Sequence, residues 1–211
     1  MADWQTAERR LMRDKLLRPL IKHIGPCTLE PLQREPYEAL VRAIAHQQVH
    51  GNAARAVLGR LCDLYPGEAF PPADFVAALP TEALRGCGFS GSKVLAIQDI
   101  AAKTLGGVVP DIEEAGALGD AALIERLVSL RGVGRWTVEM LLIFTLGRSD
   151  VLPVDDFGVR EGWRLLNDHE VQMKPKDLAV IGEAWKPWRS IAAWYLWRAA
   201  DEGKKIKVSA V

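Results

Sequence analysis

Two adjacent carboxylates, Asp155 and Asp156, follow the extended run Leu152-Pro153-Val154 and stand where a new helix can begin. One aspartate in such a pair can cap the helix while its neighbour points into a cleft, where a carboxylate could stabilise a developing positive charge or orient a water. An isolated Asp-Asp before a helix is also compatible with two plain capping residues. Upstream lies a second chemical feature, Leu127-x-x-Leu130-x-Gly132-Val133-Gly134, running into Arg135, Trp136 and Thr137. Glycine lacks Cβ, so the amides around 132–136 can approach an anion closely, and they lie at the start of a helix, where unpaired N–H groups favour negative charge. Gly132, Val133, Gly134 and Arg135 are therefore candidate contacts to a nucleic-acid backbone, with Arg135 able to add one ion pair. A bare Gly-Val-Gly turn is equally an ordinary link between two helices. The full leucine–glycine pattern, with carboxylates after the second helix, favours DNA.

These residues need helices to hold them, and the apolar periodicity is helical almost everywhere. One stripe covers 4–23 and stops at Gly25-Pro26, and another runs from Tyr37 to about Gly51. Asn52 can cap a third, and short helices follow from Asp74 to Leu79 and from Thr81 to Arg85. Longer ones cover Ser92 to Leu105, Ala121 to Leu130 behind Asp120, and Val133 to Leu146, followed by 157–166, 176–185 and 188–202, with a frayed tail from Gly203. No alternating strand pair stands out. The expected fold class is all-α, with about ten short helices. Three divisions are expected: an N-terminal helical segment, 1–36, that packs with the C-terminal lobe; a central lobe, 37–150, with the helical hairpin at 120–146; and 151–211, with the aspartate loop and the last helices.

The bulk properties limit the alternatives. The 211 residues carry 27 basic and 27 acidic side chains, so any grip on DNA must be local rather than a broad basic face. Three scattered cysteines, Cys27, Cys62 and Cys87, with no Cys-x-x-Cys pair, argue against a disulfide framework and against a zinc or iron–sulfur site, and the four histidines have no metal spacing. The N-terminus is charged almost at once, unlike a signal peptide, and the apolar stretch Met140 to Leu146 is too short to span a bilayer. A soluble protein with no membrane partner is expected, cytoplasmic and nucleoid-associated if bacterial, nuclear if eukaryotic.

The hairpin followed by an aspartate resembles the helix-hairpin-helix DNA glycosylase superfamily, and within it the AlkA/Mag type of 3-methyladenine DNA glycosylase. GVGRWTVEML at 132–141, LPVDD at 152–156 and KPWRSIAAWYLW at 186–197 carry the resemblance, supported by AHQQV at 45–49 and LRGCGFSGSK at 84–93. The resemblance implies two helical lobes flanking a cleft, without the N-terminal β-rich domain of some bacterial members. It also implies a base-excision enzyme that flips alkylated purines out of double-stranded DNA and hydrolyses their glycosidic bond, acting as a monomer.

The resemblance further assigns roles. An ungapped alignment from Gly-Arg-Trp to Asp-Asp puts the essential aspartate at Asp156, whereas alignment on Val-Asp and the later arginine favours Asp155; Asp156 is chosen, with Asp155 capping or assisting. Trp136 and Trp197 match base-pocket positions, where aromatic faces favour a cationic purine, and Met140 stands where some relatives have a tyrosine. Trp185, Trp188 and Trp194 read as core. Gln48 or Val49 is the wedge that fills the vacated stack, flanked by His46 and His50, which read as DNA-facing or merely polar. Trp136 occupies the place of the lysine that gives lyase members their Schiff base, and the four-cysteine cluster of other members is absent. A monofunctional glycosylase without cofactor is expected, apart from a structural monovalent cation that the hairpin backbone could hold. A non-catalytic DNA binder would not need the carboxylate, and a protein–protein module would leave the order hairpin, aspartate, tryptophan unexplained.

Overall fold

The computed structural model describes residues 4–32 and 34–209, with side chains through 203. Every regular element among them is helical. In chain order these are α1 (Trp4–Leu11), α2 (Leu17–Ile24), α3 (Pro36–His46), α4 (Gly51–Asp63), α5 (Ala73–Ala78), α6 (Thr81–Gly86) and α7 (Gly91–Leu105). They continue with α8 (Ile112–Ala117), α9 (Asp120–Leu127), α10 (Arg135–Phe144), α11 (Phe157–Leu166), α12 (Pro175–Gly182), a 3₁₀ turn at Glu183–Trp185, and α13 (Arg189–Ser209).

The single stripe expected over 4–23 is two helices. Asp14 Oδ1 accepts the N–H groups of Leu16 and Leu17 at 2.8 and 3.2 Å, which ends one helix and starts the next. His50, rather than Asn52, occupies the N-cap of α4, its Nδ1 accepting from Asn52 N at 3.4 Å. The helix expected behind an Asp120 cap instead begins at Asp120, with Gly119 in the cap position. The short α8, which the apolar pattern did not reveal, begins where Asp111 accepts from Glu114 N at 2.8 Å. The last helix runs on to Ser209 through the stretch expected to fray.

Two compact units are present, Met1–Pro31 with Leu142–Val211, and Leu32–Leu141. The divisions fall at 31/32 and within α10, rather than at 36/37 and 150/151. The reason is visible after α10: Ser190, fully buried on α13, donates its hydroxyl to Arg148 O at 2.7 Å and accepts from Val151 N at 3.0 Å. Arg189 adds a fork to Asp150, with Nε to Oδ1 at 2.7 Å and Nη2 to Oδ2 at 3.1 Å. The connector 147–152 is thereby stitched to the start of α13.

Within the first unit α13 is the axis, flanked by α11, α2 and α1. Gly162 allows α11 to meet α13 backbone to backbone, since a Cβ there would lie 1.9 Å from Leu196 O. Trp163 and Trp185 pack with ring centroids 5.4 Å apart, and the Trp185 indole donates to Asp14 at 2.9 Å. Tyr195, fully buried, donates to Gly25 O at 2.9 Å and so ties the chain just after α2 to α13. In the second unit α7 is central, packed by α5, α3 and α6, with Ile44, Leu84, Ile97 and Ile100 among its fully buried side chains.

Candidate active site

The candidate carboxylate site lies wholly in the first unit. Asp156 is the N-cap of α11, and its Oδ1 accepts the Val159 N–H at 2.8 Å. The same oxygen accepts the indole N–H of Trp197, 41 residues away, at 2.8 Å. Asp155 is exposed, whereas Asp156 is half-buried. The capping role expected of Asp155 therefore belongs to Asp156. A cap oxygen must reach the N–H three residues on, and with α11 beginning at Phe157 only residue 156 has that register. Two main-chain bonds set the approach: Val154 N donates to Leu152 O at 2.9 Å and Asp156 N to Pro153 O at 3.0 Å.

Two further contacts place Trp197. One ring face stacks on Phe144, with centroids 5.5 Å apart and planes 29° from parallel. Its edge lies against α11 at Gly158, where a Cβ would sit 2.8 Å from Trp197 Cδ1 and 3.2 Å from Asp156 Oδ1. Absence of a side chain at 158 is thus a condition of the Trp197–Asp156 contact. Of the tryptophans read as core, Trp185 and Trp194 are buried and Trp188 is half-buried.

The hairpin residues lie in the second unit. Leu127, Leu130 and Val133 are buried, so valine plugs the turn between α9 and α10. Gly132 adopts φ +75, and a Cβ there would lie 3.2 Å from Ala96 Cβ and 3.5 Å from Ile44 Cδ1. Both conformation and close packing on α3 and α7 require glycine at 132. Gly134 differs: its φ is not positive and a Cβ would meet nothing within 4 Å. Arg131 N donates to Asp99 Oδ2 at 2.8 Å and Lys103 Nζ to Ser129 O at 2.9 Å, anchoring the turn on α7. Arg135, expected to face a phosphate, directs its Nε to Glu139 Oε1 at 2.9 Å. Glu139 is buried, and a buried carboxylate needs a cation. Trp136 is 42% exposed, and Met140, one turn on along α10, is half-buried.

The turn at 46–50 also lies in the second unit. Gln48 has φ 55, in the left-handed region unusual for a non-glycine residue, and Val49 is 45% exposed. Gln47 Nε2 donates to Gly132 O at 3.1 Å, and Lys93 Nζ donates to Ala45 O and Gln47 O at 2.8 and 2.7 Å. Sequence reasoning passed over Lys93; the one signal that could have found it was its place at the end of LRGCGFSGSK.

Burial raises all three thiol pKa values, that of Cys27 to about 11, so none has the character of a reactive thiolate. Among the described residues no group of three or more His, Cys, Asp or Glu side chains is placed to hold a metal ion, and no helix is long and apolar enough to cross a membrane.

The family described as HhH-GPD superfamily base excision DNA repair protein matches residues 41–190. DNA-3-methyladenine glycosylase 1 of Schizosaccharomyces pombe is 43% identical over 180 residues, 83% of this chain and 78% of that protein. The alkylbase DNA glycosidase-like protein mag2 of the same yeast is 33% identical over 200 residues, 93% of this chain and 94% of that protein. The solved structure of the S. pombe 3-methyladenine DNA glycosylase in complex with abasic DNA superposes with a TM-score of 0.83 at 39% identity, covering 92% of this chain and 95% of that one. A DNA-3-methyladenine glycosidase from Bacillus halodurans gives a TM-score of 0.83 at 32% identity, over 96% and 92% of the two chains. With a family match across most of its length and relatives 43% and 33% identical over 83% and 93% of it, the protein belongs to the HhH-GPD superfamily of base excision DNA repair proteins.

Proposed function

We propose that this chain is a monofunctional DNA glycosylase that releases 3-methyladenine and other alkylated purines, such as 7-methylguanine, from double-stranded DNA, acting as a monomer without a cofactor. The observation that carries the reading is Asp156, a half-buried carboxylate with one oxygen fixed by the Val159 amide and the Trp197 indole. A purine alkylated at N3 or N7 is positively charged, so its bond to C1′ is already weakened. As the C1′–N bond breaks, its electron pair leaves with the base and positive charge builds on the sugar. A fixed carboxylate lowers the energy of that oxocarbenium-like state. Water then forms the C1′–O bond and passes its proton to the carboxylate or to solvent. Asp155, exposed beside it, is an assisting charge.

Gly134 supports the DNA-binding half of the reading. Nothing in the chain itself requires glycine there, whereas a phosphate approaching the first amides of α10 would. Trp136 and Met140 on α10, and the Trp197 ring, are proposed to contact the base, with Gln48 or Val49 as the wedge. Trp136 in place of a lysine leaves no amine at that position to form a Schiff base with the sugar.

The test is release of free base from duplex DNA carrying N-methylated purines. Asp156→Asn keeps a capping oxygen, so the fold is spared, but removes the charge. The expected loss is about a hundredfold or more in single-turnover rate. Equal release by both proteins would overturn the assignment of Asp156, and no release by the wild type would overturn the glycosylase reading. Borohydride should trap no covalent complex with DNA, excision should persist in excess chelator, and the product should remain an intact strand until treated with alkali. A trapped complex would overturn the monofunctional reading.

A further inference from the structure

Lys93 stands where local electrostatics disfavour it. It lies in the first turn of α7, behind the Ser90 cap, where the helix end repels a cation, and partial burial lowers its pKa. Its ammonium group instead serves another helix. It donates to Ala45 O at 2.8 Å and Gln47 O at 2.7 Å, carbonyl groups at the C-terminal end of α3, where a cation is favoured.

The next residue, Gln48, is the one with φ 55, and with Val49 it forms an exposed tip. The tip is held on both sides. Before it, Lys93 grips the part-buried carbonyls of Ala45 and Gln47, and Gln47 Nε2 donates to Gly132 O at 3.1 Å. After it, His50 caps α4. A left-handed, non-glycine residue persists only where its surroundings over-determine it.

We infer that Lys93 is the positioning residue of the DNA-inserting turn: its ammonium group holds the Gln47 carbonyl so that Gln48 and Val49 are presented before DNA arrives, while the Gln47 amide ties that turn to the hairpin at Gly132. The turn that enters the base stack and the loop that grips the phosphate thus form one preassembled piece. This inference rests on the glycosylase reading, in which residues 48–49 fill the space left by the flipped base.

The test compares single-turnover excision of one alkylated purine in two settings: paired within a duplex, and unpaired in a bulge, where no base pair must be broken. Lys93→Met keeps the aliphatic stem and removes the donors. It should slow excision from the paired duplex by about tenfold or more while leaving the unpaired lesion within about twofold of wild type. Lys93→Arg, which restores donors, should recover part of the paired rate. Gln47→Ala, a change at the half-buried end of a turn, should give a smaller defect of the same selective kind. Equal losses on both substrates would show a merely structural lysine and overturn the inference, as would no loss on either. A wild type that releases base from neither substrate would instead remove the glycosylase reading on which the inference rests.

Discussion

The Trp197 indole donates its N–H to Asp156 Oδ1 at 2.8 Å, the same oxygen that caps α11 through Val159 N at 2.8 Å. A side chain on α13 thus orients the residue that begins α11. Replacing Trp197 by phenylalanine keeps a six-membered ring to stack on Phe144 and removes the pyrrole edge with its N–H donor. The expected result is roughly a tenfold fall in kcat for alkylated duplex, because the carboxylate acts in the transition state, with any rise in KM reporting the ring's own contact to the base. Steady-state kinetics on a defined oligonucleotide measure this, and an unchanged kcat would refute it.

Two glycines of α11 should separate activity from stability. Gly162→Ala drives a methyl group to within 1.9 Å of the Leu196 carbonyl, a backbone atom that cannot yield. Unfolding in urea should show a loss of about 3 kcal/mol or more. Gly158→Ala meets a side chain instead, Trp197 Cδ1 at 2.8 Å, which can rotate away. Its stability cost should be smaller and its loss of excision larger.

The hairpin glycines should separate in the opposite sense. Gly134→Ala meets nothing within 4 Å, so unfolding should change by less than about 0.5 kcal/mol while affinity for abasic duplex falls. Gly132→Ala must adopt φ +75 and press on Ala96, and should cost about 1–2 kcal/mol of stability as well as affinity. Denaturant titration and fluorescence anisotropy, run on the same preparations, test the pair. Equal affinity of Gly134→Ala and wild type would remove that amide from the phosphate grip.

Cys27 gives a pH prediction with a definite sign. Burial raises its thiol from 9.0 to about 11 in the folded protein, with the charge of Glu8 acting in the same direction. The unfolded chain therefore loses this proton first, and folding loses stability as pH rises through that interval. The contribution is complete below pH 9 and declines towards pH 11. A series of Tm measurements across this range should show a fall that is reduced in Cys27→Ala. At pH 8 the native thiol should react with iodoacetamide far more slowly than the unfolded chain.

Much of the site is legible in the amino-acid sequence, for reasons that are local. The turn at Gly132-Val133-Gly134, the buried valine plug and a helix opening just after the paired aspartates follow from glycine conformation, apolar spacing and capping chemistry, which act over a few residues. The alternation of short helices is readable for the same reason, except where a cap rather than an apolar stripe makes the element, as at Asp111 before α8.

Which aspartate carries the indole contact is a different kind of question. Asp155 and Asp156 have the same chemistry, and one residue of helix register decides between them: with α11 opening at Phe157, Asp156 reaches Val159 and is half-buried while Asp155 faces solvent. The Trp197 bond spans 41 residues, and the bond from Lys93 to Gln47 spans 46. The ion pair between Arg135 and Glu139 depends on that glutamate being buried. The sequence by itself determined an all-helical chain with a glycine hairpin followed by a carboxylate at a helix start. Only the tertiary structure decided which oxygen is held and by what. Hydrogen bonds between residues far apart in the chain depend on how helices pack, and no local spacing records that.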